Sequence, residues 1–193
     1  RHGEDGTVYE ELRRQWSGAD ETLVGPGGRP GPELVGEAIA AAIADPALGR
    51  LRHDQRSARV GFGRAGFTTD RTSVWVGDWR FEQDDGRYRA VVRSQEFAYD
   101  LNLVASDPPM LNGLAGFSTK APDPRHASHY YSRPQLAVDG SVTLAGRTQP
   151  VTGQAWLDRE WSSQPLAADQ TGWDWFSLMF DDGARMMGFR LRD

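Results

Sequence analysis

The chain has 193 residues, no cysteine and a formal charge of −5, from 22 basic against 27 acidic residues. That length fits one large domain or two small ones. The missing cysteines exclude disulfides, a thiol nucleophile and cysteine-ligated zinc, and a mildly acidic chain with scattered arginines does not suit nucleic acid.

The first stretch, Arg1–Pro32, is polar and glycine-rich, with a short helix predicted over Tyr9–Trp16. Glu33–Ala44 is alanine-rich and predicts a second helix, ended by Asp45-Pro46 because the residue before proline leaves the helical region. Its apolar run, Ala38–Ala44, falls far short of the roughly 18 residues of a membrane span. From Arg59 onward the pattern alternates. Val74–Glu82 reads as a strand with Trp75, Trp79 and Phe81 on one face. Glu96–Ser106 places Phe97, Tyr99, Leu101 and Leu103 on one face and Asp100 and Asn102 on the other. Asp85-Gly86, Asp139-Gly140 and Asp182-Gly183 each read as a hairpin turn, because Asp-Gly supplies the positive φ angles that tight turns need. Met186–Asp193 reads as a further strand that stops abruptly, and with no initiator Met the chain reads as a fragment. The fold class that follows is mainly β, an antiparallel meander bending into a barrel or sandwich.

Four of the seven tryptophans, Trp156, Trp161, Trp173 and Trp175, lie close together. Val151–Trp161 alternates as one strand. Its more apolar face, Val151, Gly153, Ala155, Leu157, Arg159 and Trp161, is expected to point inward, and Arg159 beside Trp161 suits a stacked pair or an anion clamp. In Trp173–Phe180, Asp174 shares a face with Phe176, Leu178 and Phe180. An inward carboxyl there loses water and becomes a candidate proton donor; the structural alternative is an Asp that accepts N–H bonds at a strand end. His126 and His129 lack a third ligand, so no metal site is expected. His129, Tyr130 and Tyr131 suit a pocket mouth. No nucleophile elbow, dinucleotide fingerprint or P-loop is present, and no cofactor is expected. Lys120, the single lysine among the basic residues, is read with the arginine excess as genomic codon bias.

Three passages carry a resemblance: His129-Tyr130-Tyr131-Ser132-Arg133-Pro134, Gly153-Gln154-Ala155-Trp156-Leu157-Asp158-Arg159-Glu160-Trp161-Ser162-Ser163, and Gly172-Trp173-Asp174-Trp175-Phe176. The chain resembles the carotenoid 1,2-hydratase and AttH-like proteins with lipocalin-like domains, over most of residues 38–193. The resemblance implies a divergent or disordered segment over 1–37, a first lipocalin-like domain over 38–165, and final strands or the entrance to a second such domain over 166–193. It also implies a catalytic set of Asp174, Trp161, Glu160 and Asp158. Arg159 stands where the hydratases carry a histidine, and guanidinium cannot shuttle protons near neutrality. Ala40 stands where relatives carry another histidine. The implied ligand-binding residues are Trp156, Trp173, Trp175, Tyr130, Tyr131 and Arg159.

Three functions follow as expectations. The leading one is a domain that binds a hydrophobic, isoprenoid- or lipid-like small molecule. It belongs to an exported accessory protein of a bacterial envelope or periplasm, linked to a membrane transporter. The alternative is a hydro-lyase that adds water to a terminal alkene by acid catalysis, in the cytoplasm or at the membrane. The third is a pericyclase-like scaffold acting on a polyene.

Overall fold

The computed structural model describes residues 36–47, 49–60, 62–162 and 166–192. Among them lie thirteen strands and no helix. The chain forms two compact units. The first comprises residues up to Val104 together with Ala137–Gly153; the second comprises Ala105–Leu136 and Gln154–Asp193.

In the first unit, β1 (Gly36–Asp45) and β2 (Arg50–Arg59) form a hairpin. A meander follows through β3 (Ala65–Phe67), β4 (Ser73–Val76), β5 (Trp79–Asp84), β6 (Arg87–Arg93) and β7 (Phe97–Ala105). The inward faces of these strands bury Trp79, Tyr88, Ala90, Val92, Phe97, Tyr99, Leu101 and Leu103. The alternation expected over Glu96–Ser106 is thus present in β7. The second unit holds β8 (Met110–Leu111) and β9 (Phe117–Thr119), both paired with β10 (Ala127–Leu144), and β11 (Arg147–Trp161) beside it. β12 (Gly172–Met179) and β13 (Arg185–Arg192) form a separate hairpin, with Trp173 opposite Leu191 and Trp175 opposite Phe189. Strands β10 and β11 run on into the first unit. The sheets are antiparallel and, among the described residues, none closes into a barrel.

Three local expectations are corrected. The helix predicted over Glu33–Ala44 is strand β1 where it is described. Its residues alternate in burial, with Glu37, Ile39, Ala41 and Ile43 inward, and pairing with β2 outweighs alanine's helix propensity. Val74–Glu82 is two strands, because Gly77 takes a φ of +63° and turns the chain so that Val76 faces Trp79. Asp139-Gly140 lies inside β10; the turn comes at Ala145-Gly146, where both φ angles are positive. Asp85-Gly86 and Asp182-Gly183 do form turns. The helix expected over Tyr9–Trp16 lies outside the described residues.

Candidate functional site

The second unit is organised by two alternating triplets. On β10, Ser128, Tyr130 and Ser132 point inward and are 2%, 3% and 0% exposed. On β11 the matching triplet is Trp156, Asp158 and Glu160. Alternate residues of a strand share a face, so each triplet arrives on one side of its strand. Here the polar triplet of β11 meets the buried triplet of β10, while Leu157 and Arg159 on the opposite face are half-buried like Asp158. Partner chemistry suits this contact, because a half-buried carboxylate such as Asp158 is tolerated where hydroxyl and indole groups meet it, while Glu160 stays more exposed.

The partners are specific. Ser132 Oγ donates to Asp158 Oδ1 at 2.5 Å, and Trp156 Nε1 donates to the same oxygen at 2.9 Å. Asn112 Nδ2 donates to Ser132 Oγ at 2.9 Å. The Tyr130 hydroxyl donates to Asp158 and accepts from Trp175 Nε1 at 3.1 Å. Ser128 Oγ donates to Glu160. The Lys120 ammonium lies 2.7 Å from Glu160 Oε1 and is nearly buried. It also sits 5.2 Å from the centre of the Tyr130 ring and 4.1 Å from that of Phe189. The backbone at Lys120 is fixed as well, since its N–H donates to His126 and its carbonyl accepts from Gln170. Trp156 and Trp175 meet edge to face at 6.5 Å.

Burial pushes the Asp158 carboxyl above its ordinary value of 3.8, and the negative charge of Glu160 adds to that. Hydrogen bonds from Ser132, Trp156 and Tyr130 act in the opposite sense without cancelling it. The Tyr130 phenol is pushed up, first by burial and then by the Asp158 charge. Among the carboxyl groups of the site, Asp158 is thus the one whose acidity is weakened by its surroundings.

The ten residues singled out from the sequence fall into separate groups. Tyr130, Trp156, Asp158, Glu160 and Trp175 come together. Tyr131, Arg159 and Trp161 form another cluster, in which Trp161 stacks on His129 at 5.4 Å and Arg159 lies 5.9 Å from the Trp161 ring. Asp174 joins neither group. Its side chain is 68% exposed and lies 3.8 Å from Arg192, so the desolvated pocket imagined for it is absent here. Alternation along β12 is the reason, because it turns Asp174 away from the side that carries Trp173 and Trp175. Trp173 is 53% exposed. Sequence reasoning missed Asn112, Lys120, Ser128, Ser132 and Phe189. The available signals were the matched i, i+2, i+4 spacing of the two triplets and the presence of a single lysine.

An AttH-like family profile matches residues 37–193. The structure of a Nitrosomonas europaea protein provisionally designated AttH superposes with a TM-score of 0.76 at 44% identity, over 81% of this chain and 49% of that one. Kievitone hydratase from Nectria haematococca superposes with a TM-score of 0.61 at 15% identity, over 82% of this chain and 52% of that one. The second likeness is one of fold. The chain spans about half the length of both structures. No curated protein sequence matches it. The β architecture fits the lipocalin-like fold of these neighbours.

Proposed function

We propose, from the premise that this chain belongs to the AttH-like family, that its second unit binds a hydrophobic, isoprenoid- or lipid-like small molecule. The observation that carries this reading is an exposed aromatic set beside a polar network that is already satisfied. Trp173, Trp175 and Phe176 are 53%, 40% and 49% exposed. Beside them, the buried side-chain atoms of Ser128, Tyr130, Ser132, Asp158 and Lys120 all have partners. Such a surface offers ring faces and edges to a ligand and few free hydrogen-bonding groups, which suits hydrocarbon. Titrating the full-length protein with geranylgeraniol while following tryptophan fluorescence tests the reading. Trp175→Ala is expected to weaken binding about tenfold, or about 1.4 kcal/mol, while Trp75→Ala in the first unit leaves it unchanged. Equal affinity in wild type and Trp175→Ala would refute it.

A second reading, hydration of an alkene, is favoured by Asp158. A carboxyl of weakened acidity beside Trp156, Trp175 and Tyr130 would supply, in its protonated form, both an acid and π faces for a cation. In that reaction the Asp158 O–H bond breaks as a C–H bond forms. Water then forms the C–O bond and returns a proton to the carboxylate, so one water is added overall. A mass gain of one water on an acyclic carotenoid, present with full-length wild type and abolished in Asp158→Asn, is the expected result. The envelope location and transporter partner complete the binding reading, and fractionation of the producing cells checks them.

A further inference from the structure

We infer that Lys120 is the positioning residue that divides the charge between the two carboxyl groups of the site, pairing with Glu160 and leaving Asp158 as the member that carries the proton. The inference rests on the reading of Asp158 as the acid and goes beyond it by assigning what sets that state.

Asp158 and Glu160 lie two residues apart on one face of β11, so their carboxyl groups are separated by about 7 Å. At that distance the Glu160 charge disfavours a second charge on Asp158, beside buried Tyr130. Lys120 breaks the symmetry. Its ammonium contacts Glu160 at 2.7 Å, and no ion pair joins it to Asp158. The two rings beside it favour a compact cation at that point. Every other basic residue of the chain is arginine, and a guanidinium is broader and more weakly hydrated than an ammonium. The hydrogen-bonding partners of Asp158 are neutral groups. From β10 it meets Ser132 and Tyr130, and from its own strand Trp156 and Glu160. From β12, Trp175 reaches it through Tyr130. From the chain after β8, Asn112 reaches it through Ser132. Phe189 of β13 faces Lys120. Glu160 is therefore a charge that acts on Asp158 directly, and Lys120 meets that charge at Glu160. The direction of the Asp158 shift, upward through burial and the Glu160 charge, agrees with this division.

The experiment is an infrared titration of the full-length protein, following the C=O band of a protonated carboxyl as pH rises. Wild type should retain one such band after the exposed carboxyls have ionised, and Asp158→Asn should lack it. Glu160→Gln should move its midpoint to lower pH, because the neighbouring anion is gone. Lys120→Met should move it up by about one pH unit, because the Glu160 charge is uncovered. In the double variant Lys120→Met/Glu160→Gln the midpoint should fall below that of wild type. A Lys120→Met midpoint equal to wild type, with the band still belonging to Asp158, would overturn the role of Lys120 alone. A band that survives Asp158→Asn and disappears in Glu160→Gln would overturn both that role and the assignment of the acid. Glu160→Gln keeps the test decisive should Lys120→Met not fold, since an unmoved midpoint there removes the anion through which Lys120 acts.

Discussion

Asp158 leaves water without gaining a cation of its own, and this has a consequence for stability. Below its ordinary value of 3.8, folded and unfolded chains both hold the proton and the group contributes nothing. As pH rises from there to the raised folded value, the unfolded chain ionises first and stability is lost. Above the folded value the loss is constant. Asp158→Asn keeps the hydrogen bonds of a neutral side chain and removes this term. Relative to wild type, its melting temperature is therefore expected to rise as pH increases from about 4, until the carboxyl of the folded wild type has ionised, measured by calorimetry at fixed salt. A difference that stays flat with pH would mean that the carboxyl is ionised in the fold. The Asp100–Arg89 pair behaves in the opposite sense. Two hydrogen bonds from the guanidinium, at 2.8 and 2.7 Å, hold the Asp100 carboxyl below its usual range, so that contribution is lost as pH falls. Both groups are well exposed, so the pair is worth no more than about 1 kcal/mol.

Strands were legible where a single buried face imposes period two, and β7 is the clearest case. The sequence was misleading where a neighbour decides the outcome. Nothing within Gly36–Asp45 distinguishes an alanine-rich helix from a strand, and only pairing with β2 settles it. The role of the polar face of β11 was hidden for a related reason. Its carboxylates look like surface residues until the hydroxyls of β10 and the ammonium of Lys120 are placed against them. Asp139-Gly140 shows how a turn signal can serve a strand. Gly140 has a φ of +152°, and a Cβ there would lie 2.2 Å from the Asp100 carbonyl oxygen. The glycine is needed for close approach between β10 and β7, not for reversal. Gly146, in the actual turn, has a φ of +76° and nothing within 4 Å. Gly140→Ala is therefore expected to cost about 3 kcal/mol or more, and Gly146→Ala about 1 kcal/mol. Chemical denaturation of the two variants checks the order, and equal costs would contradict the close approach.

At the scale of the whole chain, the two units differ in how much apolar surface they leave in water. The first buries a set running from Ile39 to Leu103, with Trp79 fully enclosed, and leaves Leu51, Val60, Phe62 and Phe67 exposed. The second leaves Leu111, Leu114, Phe117 and Trp161 exposed, along with Trp173, Trp175, Phe176, Leu178, Met179, Phe180 and Met186 of the last hairpin and its turn. A two-stranded hairpin is marginal in water by itself. Here it is tied within its unit by Trp175 to Tyr130 and by Phe189 to Lys120. Apolar patches of this kind are uncommon on soluble monomers and mark surfaces that something covers. Freed of any cover, the 193-residue chain is expected to bind a hydrophobic dye and to self-associate as its concentration rises. Trp173→Ser and Phe176→Ser remove large side chains from opposite faces of β12. Each should weaken association about tenfold, or about 1.4 kcal/mol, and reduce dye fluorescence. Trp75→Ser, in the first unit, should leave association unaltered. Sedimentation velocity across a concentration series separates these outcomes. Unchanged association in both β12 variants would place the sticky surface elsewhere, with the Trp161, Phe117 and Leu114 side as the next place to substitute.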